Sequence, residues 1–591
     1  MKKILLLNAL FLTGSLFAQN ILVNELGRFT DGREDACEIS TYDQTTKRIF
    51  TTNSAVDSID IIDLSDINAP VRINQLDVLS YGGGVNSLVS LNNGYFAAAI
   101  EAYVKTDSGS VVIYDVNGTF VASVKVGFLP DMITYAPLTK KLLVACEGEP
   151  NDEYTIDPEG SIAIIDLSNG VDIVASNVTT LGFSNAPINI PGSIRKPGTA
   201  WSQDLEPEYI AFNADETKAV VICQESNVFV IIDLTTNSIS SYKGLGFKDH
   251  SVPGNGFDAS DKDGIINIQT WNVLGVYQPD AIAMYEANGN DYIITANEGD
   301  GRDYDGYSSE TRVEDLDLDV SVYATGDSLQ KREALGRLKT FTKDVIGDLN
   351  ADNQVEQIYS YGARSFSIWD DNGDLLWDSG DAIEQYFAAN YSDFFNCNDG
   401  LADEKDKRSD DKGPEPESVC IGIVGGNTLA FIGLERQGGV LVYNVSNPLA
   451  PTFVTFINSY DYTNGTMTDI GPEGLQFIPA SESHTGENFL MVSNEVSGTI
   501  SFHSLNIDNV NIDEKGKETI GAYPNPTNGT ITIAGLVGSA VRVFNFKGQV
   551  LMNTILEDES MVLDLSVLTS GIYLLEIINE NGIQLDRIVK L

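Results

Sequence analysis

One hydrophobic pattern recurs along the chain: an apolar run, a polar residue, a Gly or Ser, and then an alternating run that ends near Asp-Leu. Each copy predicts two antiparallel strands, because the runs are rich in Val, Ile and Tyr and alternate with period two. Seven copies fall at residues 48–70, 95–116, 142–168, 219–236, 292–300 continued by 359–379, 429–448 and 489–505.

Another apolar strand precedes each copy, and it usually starts with an acidic residue after Pro. These segments are 34–40, 85–91, 130–136, 207–213, 279–285, 416–422 and 472–478. A fourth, more variable strand follows most copies. Four strands repeated seven times, with a period of roughly 40 residues, predict an all-β fold, a seven-bladed β-propeller over residues 19–508. A pair of β-sandwiches is the alternative, but it does not explain seven copies in phase.

Acidic residues occupy two positions of the repeat. In a propeller blade the start of the innermost strand and the end of the second strand lie on one face, near the central axis. The sequence therefore predicts two concentric acidic rings around one mouth of the channel. The first ring comprises Asp35, Asp131, Glu208, Asp280, Glu417 and Glu473, and the second comprises Glu101, Glu147, Glu225, Glu298, Glu435 and Glu495.

The charge of the chain supports a cationic partner. Asp and Glu total 85 against 36 Lys and Arg, which gives a net charge of −49. Such a surface disfavours nucleic acid as a partner and attracts cations. Carboxylate rings supply oxygen ligands only, which suit Ca²⁺, so calcium is the expected cofactor. Two alternatives stay open: solvated acids in turns, and carboxylates that cap neighbouring blades.

Long insertions after the second strand of blade five and before blade six bring positive charge to the same face. We consider Arg302, Arg312, Arg364 and Arg408 either counter-ions of the rings or clamps for an anionic ligand. Because carboxylates greatly outnumber arginines, counter-ions are favoured.

The segment 347–362 partly matches a calcium-binding loop. Asp348, Asn350 and Asp352 alternate as the early ligands of such a loop do. Asn353 stands where Gly is expected, and Tyr359 stands where a bidentate acid is expected. The segment therefore predicts either a calcium loop or a plain Asx-rich turn.

The two ends of the chain carry targeting features. Lys2 and Lys3 followed by the apolar run 4–17 predict a signal peptide over residues 1–18, and no later segment is apolar enough to span a membrane. Residues 509–520 form a polar linker. Of the five cysteines, Cys397 and Cys420 flank one loop and are candidates for a disulfide.

Short strands return in residues 521–591 and predict a small C-terminal β-sandwich. The motifs YPNPTNG, VRVFNFKGQVL, LSVLTSGIYLLEI and a closing RIVKL resemble the sorting domain of type IX secretion cargo in Bacteroidota. The resemblance implies that the type IX machinery is a partner. It also implies that the protein is secreted or attached to the outer-membrane surface.

The propeller segment also resembles a known family, the choice-of-anchor I domain, over roughly residues 20–508. The motifs are ANEGDGRDYDGYSSETRVEDL, EQIYSYGARSFSIWD and RSDDKGPEPESV. That domain is similar to mesenchyme-specific cell-surface glycoproteins linked with biomineralisation, and some members are labelled alkaline phosphatases. The resemblance carries no catalytic residue over to this chain.

Catalytic signals are poor. The chain has three His, and no nucleophile–base arrangement is visible, so no catalytic residue is assigned. We expect an exported binding module whose acidic face holds Ca²⁺ and, through it, an extracellular ligand such as a glycan, a mineral or a protein. A calcium-dependent phosphohydrolase and a purely structural surface protein are the alternatives.

Overall fold

The computed structural model describes residues 21–507, 522–534, 537–545, 549–579 and 582–591. The predicted signal peptide (1–18) and linker (509–520) lie outside the described residues. The chain divides into two compact units, and the division falls after residue 508.

Residues 21–507 contain seven four-stranded antiparallel sheets, numbered 1 to 7 along the chain. Strands are given from the innermost outwards. Sheet 1 has Ala36–Asp43, Arg48–Asn53, Ser58–Asp63 and Val71–Asp77. Sheet 2 has Val85–Ser90, Tyr95–Ile100, Ser108–Asp115 and Phe120–Phe128. Sheet 3 has Pro130–Ala136, Lys141–Cys146, Ser161–Asp166 and Val178–Gly182. Sheet 4 has Ile210–Phe212, Lys218–Cys223, Val228–Asp233 and Ser238–Gly244.

The last three sheets follow the same plan. Sheet 5 has Ile282–Ala287, Asn290–Asn297, Ser365–Asp370 and Leu375–Asp378. Sheet 6 has Pro416–Val424, Asn427–Leu434, Val440–Asn444 and Thr452–Ile457. Sheet 7 has Pro472–Ile478, Phe489–Asn494, Thr499–Ile507 and the N-terminal strand Ile21–Thr30.

The innermost strands contact one another in a closed order. Each contacts the innermost strand of the next sheet, and that of sheet 7 contacts that of sheet 1. Four-stranded sheets arranged in a closed ring define a β-propeller. The predicted all-β propeller fold is therefore confirmed.

The ring is closed by the N-terminal strand, which the sequence pattern does not reveal. Ile21–Thr30 pairs antiparallel with Thr499–Ile507 and becomes the outer strand of sheet 7. The two ends of this unit therefore lie in one sheet, and the edge of Thr499–Ile507 is covered.

Apolar side chains fill the spaces between neighbouring sheets. Between sheets 1 and 2, for example, the rings of Phe50 and Phe96 stack with centroids 4.1 Å apart, within a cluster that also contains Ile61 and Val112. The central strands read as continuous apolar runs because both of their faces are covered in this way.

The fifth copy of the repeat is split by a long insertion between the second and third strands of sheet 5. The insertion contributes three strands to a five-stranded sheet, ordered Phe247–Asp249, Val273–Val276, Ile358–Ser360, Lys339–Phe341 and Glu310–Arg312. Two hairpins also occur, Asp303–Tyr304 with Tyr307–Ser308 and Tyr460–Asp461 with Thr466–Met467.

Helices are few and short. The α-helices are Trp201–Asp204, Gly326–Leu329 and Ala382–Asn390, and the 3₁₀ helices are Ser54–Val56, Ala175–Asn177, Val313–Asp315, Ser392–Phe394 and Ala402–Glu404. All five cysteines have free thiols, so Cys397 and Cys420 do not form a disulfide.

The C-terminal unit has two antiparallel sheets. One has Ala522–Tyr523, Thr530–Ala534 and Ser560–Asp564, and the other has Val550–Ile555, Ala540–Phe544, Gly571–Asn579 and Gly582–Lys590. Residues of both sheets, among them Ile531, Val543 and Leu575, share one buried core. This is the predicted small sandwich.

The N-terminal strand supplies a test of ring closure. Phe29 is 7% exposed and packs in a cluster with Ile49 of sheet 1 and Phe502 of sheet 7. We expect Phe29→Ala to lower the free energy of unfolding by about 3–5 kcal/mol, because it leaves a cavity where the ring closes. Leu22→Ala, on the same strand at a side chain 47% exposed, is the matched control. Equal stabilities of the two variants in urea titrations would contradict this closure.

Candidate metal centre

Bulges at the start of the innermost strands determine where the first-ring acids point. In sheet 3 the pairing slips between Pro130 and Ile133, and in sheet 6 it slips between Pro416 and Val419. Each slip leaves one more residue on the inner strand than on its partner. A bulge of this kind re-aims a side chain, and these two stretches contain Asp131 and Glu417.

Sheet 1 departs from this arrangement, because it places two acids, Asp35 and Glu38, at the mouth. Asp35 lies beside Glu495 and contributes to the raised pKa of that carboxyl, after burial. Asp35 is exposed and precedes the strand, with a positive φ of 61° like that of Glu415 before Pro416. Between Ala36 and Ser40 the inner strand has two more residues than its partner. The larger bulge contains Glu38, which lies close enough to Glu495 and Asp131 to interact with both.

The first-ring acids lie close enough to perturb one another. Burial raises the pKa of Glu38 to about 7, and repulsion from Glu495 and Asp131 contributes. Burial, together with repulsion from Glu225, raises the pKa of Asp131 to about 6. Burial first, and neighbouring carboxylates second, also raise the pKa values of the remaining members well above the ordinary range: Glu208, Asp280, Glu417 and Glu473.

The second-ring acids share this pole with the first ring, with one exception. Burial and neighbouring carboxylates raise the pKa values of Glu147, Glu435 and Glu495, and burial is also the largest cause for Glu298. Glu101 stands apart, because its charged neighbours are Lys105 and Asp57.

Three of these acids form a compact group that we call site A: Glu147, Glu208 and Glu225. One carboxylate oxygen from each lies within 4.8 Å of the others. Glu208 and Glu225 are only 8% and 6% exposed. Each has a buried Oε2 atom that accepts no hydrogen bond from any described residue.

A second group, site B, comprises Glu298, Glu417 and Glu435, whose carboxylate oxygens also lie within 4.8 Å of one another. In this group Lys412 forms an ion pair with Glu298, and Arg436 bonds Glu435 at 2.7 Å. Site B is therefore partly neutralised by the chain itself.

All four arginines singled out from the sequence pair with carboxylates. Arg302 bonds Glu206 at 2.9 Å, Arg312 bonds Asp410 at 2.6 Å, Arg364 bonds Glu384 at 2.8 Å and Arg408 bonds Glu415 at 2.6 Å. These four partners lie outside the two predicted rings, so the role of the arginines as counter-ions of the rings stays a prediction. Arg364 also donates to the backbone carbonyls of Asp258, Ser409 and Asp411, which ties the insertions to the propeller.

Sequence reasoning missed two buried acids, Glu206 and Glu415, which are both 0% exposed. Each precedes the Pro at the start of an innermost strand, so the triplet Glu-Pro-Glu occurs at 206–208 and again at 415–417. That repeated triplet is the signal that could have found them.

The calcium-like segment forms Asx turns. Asp348 accepts the backbone N–H groups of Ala351 and Asn353 at 2.7 and 2.8 Å. Asn350 donates to Glu356 at 2.6 Å. Asp352, Asp319 and Glu356 form a third group of carboxylates, whose oxygens lie within 4.8 Å of one another. The segment thus contains Asx turns beside an acidic group, and the calcium loop stays a prediction.

The fold and this acidic mouth define a class of protein: a β-propeller with carboxylates concentrated at one end of its channel, followed by a separate small β-sandwich. Residues 38–448 match the model of the choice-of-anchor I domain. The chain belongs to the choice-of-anchor I family. Residues 521–591 match the secretion system C-terminal sorting domain.

Two curated relatives are similar to parts of the chain. Gigasin-3a of Magallana gigas is 31% identical over 31% of this chain and 69% of its own length. The mesenchyme-specific cell surface glycoprotein of Strongylocentrotus purpuratus is 27% identical over 47% of this chain. The match spans 42% of that glycoprotein, less than half of its length.

Among solved structures, the chain is similar to the β-propeller domain of Cps50 (Swd1) from Myceliophteria thermophila. It is 10% identical with a TM-score of 0.37, and the match covers 82% of this chain and 99% of that one.

The C-terminal match determines the destination of the protein. A type IX sorting domain marks it as secreted or attached to the outer-membrane surface. Among the residues that the structure describes, no helix is long and apolar enough to cross a bilayer.

The crowded carboxylates predict an unusual pH dependence. A carboxyl whose pKa is higher in the folded state than in the unfolded chain stabilises the fold at low pH, and this contribution is lost as pH rises through the folded value. For Glu38 this stabilisation is lost between pH 4.5, its ordinary pKa, and about pH 7, its pKa in the folded protein. In chelator-treated protein, the free energy of unfolding of Glu38→Gln relative to that of wild type should rise by about 1–3 kcal/mol between pH 4 and pH 8.

The measurement is urea unfolding of both proteins at several pH values. Glu286→Gln is the control, because it removes one negative charge at an exposed position of sheet 5. If the free energies of unfolding of Glu38→Gln and wild type differ by the same amount at every pH in this range, the predicted repulsion at the mouth is contradicted.

Proposed function

We propose that this secreted or surface-attached propeller is a cation-binding module that holds Ca²⁺ at site A and, through the ion, engages an anionic extracellular ligand. One observation carries the proposal: the buried Oε2 atoms of Glu208 and Glu225 have no described donor. A buried carboxylate without a partner is costly, and a cation removes that cost.

The spacing of the oxygens fits a calcium ion. Ca²⁺ binds oxygen at 2.3–2.6 Å, so two oxygens that share one ion are at most about 5 Å apart. The oxygens of site A satisfy that limit. Three carboxylates supply up to six oxygens, and waters or an external ligand complete the shell of six to eight.

The charge around site A also favours a cation from solution. The described basic side chains nearby are engaged elsewhere: Lys105 pairs with Glu149, and Arg302 pairs with Glu206. None of Glu147, Glu208 and Glu225 forms an ion pair with a basic residue of residues 21–507. No described basic group neutralises the carboxylates of site A, so an external cation can bind them without displacing one.

An ion at the mouth of the propeller gives the module a way to bind other molecules. Calcium in a site of this kind keeps coordination positions for ligands from outside. Carboxylate, sulfate or phosphate groups of an extracellular glycan, mineral or protein have the chemistry to occupy them.

Calcium titration of chelator-stripped protein tests the proposal. We expect calorimetric heat and a dissociation constant on the order of 10⁻⁴ M, as in extracellular calcium modules. Calcium at a hundred times that constant should add about 2.7 kcal/mol to the free energy of unfolding. Glu208→Gln should weaken binding more than about tenfold, since it removes one ligand charge.

Glu286→Gln serves again as the matched control, and its affinity should equal that of wild type. If wild type gives neither heat nor a rise in melting temperature, the carboxylates have a structural role and the proposal is wrong.

A further inference from the structure

Sites A and B consist of glutamates at equivalent positions of the repeat, in two different parts of the ring. Glu147 and Glu298 follow the second strands of sheets 3 and 5. Glu208 and Glu417 come directly after the Pro that introduces the innermost strands of sheets 4 and 6. Glu225 and Glu435 follow the second strands of those same two sheets.

The correspondence extends to the surrounding residues. Glu206 and Glu415 occupy equivalent positions before the Pro, and each forms an ion pair with an arginine. Arg302 bonds Glu206 at 2.9 Å, and Arg408 bonds Glu415 at 2.6 Å. The oxygens within each site also satisfy the same separation of 4.8 Å. Two sites with this degree of similarity should have similar affinity for a cation unless another residue distinguishes them.

Two basic residues pair with carboxylates of site B, and none of the described residues does so at site A. Arg436 bonds Glu435 at 2.7 Å and is 34% exposed. Lys412 is the more buried of the two. Its side chain is 13% exposed, and its ammonium group pairs with Glu298 and lies 3.5 Å from Glu415. The loop that carries it is held in place, because Arg408 bonds both Asp411 and Glu415. In the described part of the chain, no lysine forms an ion pair with a site A carboxylate.

We infer that Lys412 is a built-in cation that occupies site B and thereby limits the propeller to one bound calcium ion. The inference rests on the proposed function of site A. An ammonium is a compact point charge on a flexible stem, so it can take the place of a metal ion among carboxylates. The buried Oε2 atom of Glu417, which has no described donor, remains as a ligand for an ion once the ammonium is removed.

Removal of the ammonium should open site B. Lys412→Met keeps most of the apolar stem and deletes the charge. We expect wild type to bind one calcium ion and Lys412→Met to bind two, as counted by native mass spectrometry and calorimetry. Lys412→Arg retains the cation and should bind one. Lys339→Met, which removes a nearby lysine that pairs with Glu310, should also bind one.

A second pair of variants separates this inference from the proposed function. Glu147→Gln removes one ligand charge of site A, so at calcium concentrations near the wild-type dissociation constant it should bind almost no ion. Under the same conditions Glu147→Gln with Lys412→Met should bind one ion, at site B. If wild type binds no ion but Lys412→Met binds one, the proposed function of site A is wrong and the inference about Lys412 stands. If Lys412→Met binds the same number of ions as wild type, the inference is overturned.

Folding of the variant is itself informative. Loss of the ammonium leaves buried carboxylates unpaired, so Lys412→Met should melt at a lower temperature than wild type without calcium and regain most of that loss with calcium. Lys412→Gln is the substitute if the Met variant is poorly soluble. Failure of both variants to fold in saturating calcium would overturn the inference, because an ion would then not replace the ammonium.

Discussion

Repulsion among carboxylates forced together at one end of a closed ring is the constraint on which the rest of this structure depends. Closure brings the innermost strands side by side, and their bulges bring acids such as Asp131 and Glu417 to a common pole. Buried like charges are unfavourable. The apolar cores between the sheets must therefore supply the stability that keeps these acids close together.

The chain relieves this repulsion unevenly around the ring. Beside sheets 5 and 6, Lys412, Arg408 and Arg436 pair with Glu298, Glu415 and Glu435. Beside sheets 3 and 4, Arg302 pairs with Glu206 but with none of the site A carboxylates. These basic residues thus act as counter-ions for part of the mouth, whereas the carboxylates of site A have no such partner among the described residues. This asymmetry favours the proposed cation site at site A over binding spread evenly around the mouth.

The repeat and most of its acid positions could be predicted from the sequence. Each copy carries its acids at the same positions, and closure of the ring brings equivalent positions of neighbouring sheets close together. Glu147, Glu208 and Glu225 come together for that reason. Glu38 could not be identified, since the larger bulge of sheet 1 adds it to the mouth beside Asp35, and no other copy of the repeat among the described residues has a bulge of this length.

Other features have no periodic signal. The strand Ile21–Thr30 lies outside the copies and joins sheet 7 only through pairing with the far end of the unit. The partners of Lys412 depend on how the loop 403–418 folds back, which composition alone does not determine. In the segment 347–362 the spacing resembles a calcium loop, yet the carboxylate of Asp348 accepts hydrogen bonds from the backbone N–H groups of Ala351 and Asn353.

The most direct test of the central claim is to locate bound metal by anomalous scattering from crystals grown with calcium or a lanthanide substitute. The account predicts an anomalous peak among the carboxylates of Glu147, Glu208 and Glu225, within about 2.3–2.6 Å of their oxygens for calcium. Crystals that diffract well and show no peak at these three residues, or peaks only on other surfaces, would contradict it.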